Sequence, residues 1–174
     1  MNVKFLNPFV TAAHDILHME LHGPVQRGEL KLENGPYRTD DATVIISLVG
    51  AVDGTVFYSM SKESAIQFAS ALMGEKFEGL NALAQSGIAE LGNVITGQAS
   101  MRLAEAGFES NISTPSLLIG KGASISTLEY PRLVVPLTTE AGSLTIHLSL
   151  RENLQTNLKT PQIAIPAAFE TPTP

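Results

Sequence analysis

Cysteine is absent from the chain, which excludes disulfide bonds and thiolate chemistry. Tryptophan is absent too, and other aromatics are sparse. Little is left from which to build a stacking platform for bases or sugars. Cations are few: 11 Lys and Arg face 17 Asp and Glu, for a formal charge of −6. They are scattered along the sequence, so there is no basic patch of the kind a nucleic acid needs. Long apolar runs are missing as well. The most apolar stretch, Val44 to Val52, holds Ser47 and Gly50 and is far shorter than the ~20 residues that span a bilayer. The N-terminus lacks a basic region followed by an apolar core, so it does not read as a secretory signal. These absences lead to the expectation of a soluble cytoplasmic protein with no membrane span and no nucleic-acid partner.

What is present centres on one stretch. The spacing predicts a long helix from about Leu80 to Ala106. Ala84, Ile88, Leu91 and Ile95 recur at three- and four-residue steps and make one apolar stripe. Glu90 and Asn93 fall well outside that stripe and are neighbours on the outward face. Ser86 and Gly97 lie on the same outward line, one turn to each side. A carboxylate and a carboxamide therefore stand between small residues. Gly87, Gly92 and Gly97 each cost roughly 0.8–1 kcal/mol against alanine in a helix interior. Either close packing against a sheet or close approach of a partner must offset that cost.

Around this helix the sequence predicts an ordered series of elements. Asn7-Pro8 reads as a helix start, with Phe9, Ala13, Ile16 and Leu17 as its buried face and Gly23-Pro24 as its end. Val25 to Leu32 reads as a strand. Thr43 to Leu48 and Thr55 to Met60 read as a hairpin around Gly50 to Gly54. Ser61 is placed to cap a second helix that stops at Gly74. After the long helix come a polar loop from Asn111 to Pro115 and a short strand from Ser116 to Ile119. The glycine-rich turn Gly120 to Ala123 lacks the rest of a phosphate loop. Leu128 to Leu137 and Ser143 to Leu150 read as a second hairpin. Pro161, Pro166, Pro172 and Pro174 keep the C-terminus out of any central strand. The expected organisation is one domain over residues 1–154 and an extended or disordered tail over 155–174.

The two halves resemble each other. Gly54 to Ser61 aligns with Gly142 to Ser149, and Phe9 to Ile16 with Ile88 to Ile95. In that register Thr11 stands opposite Glu90, and His14 opposite Asn93. The scaffold repeats, and the carboxylate–carboxamide pair does not. The expected fold class is α+β: two pseudo-symmetric halves, with helices covering one side of a largely antiparallel sheet.

Ser86-x3-Glu90-x2-Asn93, followed by Pro115, resembles the signature of the CheC/CheX/FliY phosphatases of bacterial chemotaxis. Asn7-Pro8-Phe9 and the stretch from Gly54 to Gly74 resemble CheX in particular, and the single copy of the pair is the CheX pattern. CheC-type members carry it in both halves. The resemblance covers about residues 5–150 and implies a CheC-like pseudo-two-fold fold. It implies hydrolysis of the aspartyl phosphate on a CheY-like receiver domain. Asn93 is then the residue that orients water, and Glu90 the one that pairs with the receiver's lysine. Ser86 and Gly97 let the helix approach its partner. The chain would need no cofactor of its own, since Mg²⁺ is supplied by the receiver. A homodimer through sheet edges is also implied, with the second hairpin as the expected edge.

Two other readings compete. A non-catalytic module on the same fold could bind a receiver without turnover. Alternatively, His14, His18 and His22 with Asp15 could share a metal ion on one helix face.

Overall fold

The structure is a computed structural model that describes residues 3–127 and 130–153. A 3₁₀ turn, Val3–Phe5, leads into α1 (Leu6–Leu21). The rest of the first half is β1 (Gln26–Arg27), β2 (Lys31–Glu33), β3 (Tyr37–Arg38), β4 (Ala42–Gly50), β5 (Val52–Met60) and α2 (Lys62–Met73). The second half is α3 (Ala82–Glu105), β6 (Ser110–Ile112), β7 (Ser116–Ile119), β8 (Ser124–Ile125), β9 (Arg132–Thr139) and β10 (Gly142–Glu152).

Strand pairing makes the duplication physical. The main sheet runs β1-β9-β10-β5-β4-β6, with β2 also on β9 and β7 also on β4, and every pairing is antiparallel. Each hairpin therefore carries an edge strand from the other half. The central ladder joins β5 to β10 and pairs Tyr58 with Ile146. These are the two residues that the internal alignment equates, so the local two-fold axis passes between them.

Alternation along the strands divides the sheet into two faces. Val44, Ile46, Val56, Tyr58, Ile146 and Leu148 are buried in one core with the apolar faces of the three helices, from Phe9 and Leu17 through Phe68 to Ile88 and Ile95. The other face holds Phe57 and His147. Tyr37 covers them, with ring centroids 4.9 Å and 4.6 Å away, and its hydroxyl is 3.0 Å from Thr43 Oγ1. The small β3–β8 sheet carries Tyr37 there.

Several local expectations are corrected. α1 begins at Leu6 rather than with Asn7 as a cap; Phe5 precedes it without a side-chain cap, and Pro8 sits in the first turn. Proline is tolerated there because first-turn N–H groups have no intrahelical acceptor. The strand expected from Val25 to Leu32 is two short strands. Gln26 and Arg27 pair with Thr138 and Leu137, and Lys31 pairs with Val134, so Gly28 to Leu30 bulge past Pro136 and Val135. Pro136 has no N–H to give, and its carbonyl accepts from Gly28 instead. The loop expected from Asn111 to Pro115 is partly strand, as β6 pairs with Leu48 to Gly50.

The expected open edge at the second hairpin is also wrong. β10 lies between β5 and β9, and β9 is covered by β1 and β2. Ser61 does cap α2, accepting from Ser64 N, and Gly74 closes it in the left-handed region at φ 63°. The expected start of the second hairpin at Leu128 and the tail over 155–174 lie outside the described residues. Among the described residues, no helix is long and apolar enough to cross a membrane.

Candidate active site

The site is built on α3. Asn81 opens the helix, its side-chain oxygen accepting from Ala84 N at 2.9 Å. Ala84, Ile88, Leu91 and Ile95 are all buried, as their spacing requires. Two further contacts fix how far the helix can roll or lift. A Cβ on Gly92 would stand 2.8 Å from Val44 Cγ1 and 3.2 Å from Tyr58 Cδ2, so the glycine lets α3 lie directly on the sheet. Thr96 is fully buried one turn later. Its hydroxyl donates to Gly92 O at 2.7 Å and accepts from the Tyr58 hydroxyl at 2.7 Å. Burial pushes the Tyr58 pKa well above the ordinary value, against a smaller lowering by the Thr96 bond, and leaves the side chain a neutral phenol.

With the inner face locked, the outer face is set. Glu90 is exposed and Asn93 half-buried, and Asn93 Nδ2 donates to Glu90 Oε2 at 3.4 Å. Ser86 is exposed and Gly97 half-buried on the same line. A Cβ on Gly97 would find only Ile112 Cδ1, at 3.9 Å. Internal packing therefore explains Gly92 and leaves Gly97 unexplained. Pro115 lies between β6 and β7.

α1 flanks α3. Arg102 of α3 bridges to Asp15 of α1 at 2.7 Å and holds that carboxyl below the usual range. Thr11 and His14 are exposed on α1, so the duplicated position exists without the pair. Two members of the line of His14, His18, His22 and Asp15 are otherwise engaged. His18 Nδ1 donates to Gly23 O at 2.8 Å, and Asp15 holds Arg102. Among the described residues, no group of three or more potential ligands gathers for a metal.

Sequence reasoning missed a groove beside the pair. Ile16 and Glu20 of α1, Met73 of α2, and Gly87 and Val94 of α3 line a cavity of about 190 Å³ that Glu90 borders. Val94 was the available signal, an apolar residue outside the buried stripe.

The family model described as "Chemotaxis phosphatase CheX" matches residues 42–138. The chain belongs to the CheX family of chemotaxis phosphatases. It is 34% identical over 128 residues to the CheY-P phosphatase CheX of Thermotoga maritima, covering 73% of this chain and 83% of that protein. Among solved structures, CheX from Vibrio vulnificus matches with a TM-score of 0.75 at 25% identity, over 85% of this chain and 99% of that one. The CheX of a CheX-CheY-BeF3-Mg²⁺ complex from Borrelia burgdorferi matches in fold, with a TM-score of 0.75 at 24% identity, over 87% of this chain and 100% of that one. The CheX family thus shares the sheet and helix arrangement that presents α3.

Proposed function

We propose that the protein hydrolyses the phospho-aspartate of a CheY-type response regulator, with Asn93 orienting the attacking water and Glu90 pairing with the receiver's lysine. The observation that carries this reading is the Glu90–Asn93 pair, side by side on the outer face of a helix whose inner face is locked to the sheet. Phosphoryl transfer needs an in-line nucleophile and charge neutralisation more than covalent help. A carboxamide suits the first task, since it can accept from water and donate to a phosphoryl oxygen while carrying no charge. A carboxylate at position 93 would repel the phosphate. Glu90 one turn away can bind a cation and so set the register of docking. Mg²⁺ in this scheme belongs to the receiver, and Ser86 and Gly97 keep the approach clear.

The relative from Thermotoga is named for the same reaction, which supports the assignment. The test is phosphate release from a panel of phosphorylated receiver domains of the same organism. One of them should be dephosphorylated faster with the protein than alone, and Asn93→Ala should lower turnover about 10²-fold or more. Binding without any acceleration would instead identify a non-catalytic receiver-binding module. The reading includes a homodimer through sheet edges. With the second hairpin closed, the edges on offer are β1/β2, where Leu32 is 61% exposed, and β6/β7, where Ile119 is 49% exposed. Light scattering at tens of micromolar tests it, and a monomer there would refute it.

A further inference from the structure

The groove beside Glu90 has a chemistry of its own. Its walls are mostly apolar: Ile16 from α1, Met73 from α2, Val94 from α3. Met73 and Val94 are 43% and 39% exposed, although both sit next to buried core. Its rim carries two carboxylates, Glu20 and Glu90. The backbone of Gly87 forms part of the floor. A Cβ there would meet Met73 Cγ and Sδ at 3.4 and 3.5 Å, which is ordinary contact. Gly92 is required by packing against the sheet and Gly87 is not. Its helix-propensity cost therefore goes with keeping the groove open.

We infer that this groove is the specificity pocket of the docking surface: it seats one apolar side chain of the receiver domain, next to the basic group that Glu90 takes. The inference rests on the functional reading above. Three features select that occupant. A polar side chain seated against the walls of Ile16, Met73 and Val94 would lose water without gaining a partner from them. An acidic one would face Glu20 and Glu90. The volume, about 190 Å³, suits a single large aliphatic or aromatic side chain rather than a helix. The groove is continuous with the proposed catalytic face, because Glu90 belongs to both. A receiver pressed against Asn93 must therefore cover it. Regulators with an apolar residue beside the active-site lysine are then accepted, and those with an acidic or small residue there are discriminated against.

The test uses the full chain and the phosphorylated CheY-type receiver domain that it turns over fastest. Gly87→Leu fills the groove and Met73→Ala removes one wall. Thr138→Ala, at an exposed position near the end of β9, is the control. Thermal melts establish that each variant is folded, and Met73→Ala carries the test alone if Gly87→Leu does not fold. The expected result is a rise of about tenfold or more in KM for Gly87→Leu, and a smaller rise for Met73→Ala. Both should keep kcat within about twofold, and the control should match wild type. Dissociation constants for the beryllofluoride-loaded receiver should move with KM. Unchanged KM in the folded groove variants, with Asn93→Ala still inactive, would overturn this inference and leave the functional reading intact. A drop in kcat alone would also overturn it, since the groove would then act only by positioning α3. If wild-type protein accelerates no receiver, the functional reading fails and this inference fails with it.

Discussion

The Tyr58 hydroxyl lies 2.7 Å from Thr96 Oγ1, beneath the middle of α3 and at the local two-fold axis of the sheet. The pair ties one of the two central strands to the helix that carries the exposed Glu90 and the half-buried Asn93. Tyr58→Phe removes the donor and leaves Thr96 bonded only to Gly92 O. The expected loss is about 1–1.5 kcal/mol of stability, typical of one buried neutral hydrogen bond. Urea denaturation checks it. A loss near zero would mean that the bond does not constrain α3.

Gly92→Ala and Gly97→Ala should move stability in opposite directions. The first places a methyl 2.8 Å from Val44 Cγ1. Val44 is buried and β-branched, so it has little freedom to yield. Overpacking of this kind costs about 1–3 kcal/mol and outweighs the gain in helix propensity. Gly97→Ala meets nothing closer than 3.9 Å and should gain up to about 1 kcal/mol. It should nevertheless lower kcat/KM severalfold, because the new methyl stands on the docking line. Paired melts and phosphate-release assays read both effects. A Gly97→Ala protein that is more stable and fully active would remove Gly97 from the interface.

Much of α3 was legible because its pattern is local. Ala84, Ile88, Leu91 and Ile95 announce their face by spacing alone, and that face fixes where Glu90 and Asn93 point. The duplication was legible too, and its alignment equates Tyr58 with Ile146, the two residues that the structure then pairs across the central ladder. What failed depends on partners distant in sequence. The break between β1 and β2 follows from Pro136, more than a hundred residues away. The closed second hairpin follows from strand exchange between halves, which no local pattern encodes. The three glycines of α3 looked alike in sequence. Only the sheet beneath separates Gly92 from Gly87 and Gly97. The buried cluster of Tyr37, His147 and Arg132 likewise assembles from three separate strands.

That cluster should make stability pH-dependent. Burial, reinforced by the Arg132 guanidinium and opposed by Glu33, pushes the His147 pKa from 6.5 down to about 4. Among the described residues, His147 Nδ1 has no hydrogen-bond partner that would stabilise a charged ring. Between about pH 6.5 and pH 4 the unfolded chain binds a proton at His147 that the folded chain refuses. Stability from this residue is therefore complete above pH 6.5 and declines as pH falls, levelling off below about 4. The expected loss from pH 7 to pH 5 is about 2 kcal/mol. Carboxylates contribute their own dependence, so the measurement is the difference between wild type and His147→Gln in urea melts at both pH values. Equal slopes in the two proteins would refute the assignment.

Glu90 and Asn93 should separate in their response to salt. Glu90 is exposed, so its proposed attraction to a receiver lysine acts across solvent until contact. At physiological ionic strength such attraction is screened over about 8 Å. It should therefore appear mainly in association and in KM. Wild-type kcat/KM is expected to fall as salt rises. Glu90→Gln keeps the shape of the side chain and removes the charge, so its KM should rise and its salt slope should shrink. Glu90→Lys should go further and reverse the slope, because added salt then relieves repulsion. Asn93→Ala should keep the wild-type slope in binding while losing turnover, since the carboxamide carries no charge. Glu20→Gln is the control for net charge, because it removes the same unit of charge at the far rim of the groove. If Glu20→Gln and Glu90→Gln flatten the slope equally, the effect belongs to the overall field of an acidic protein. A larger effect at Glu90 assigns it to a specific pairing beside the reacting phosphoryl group.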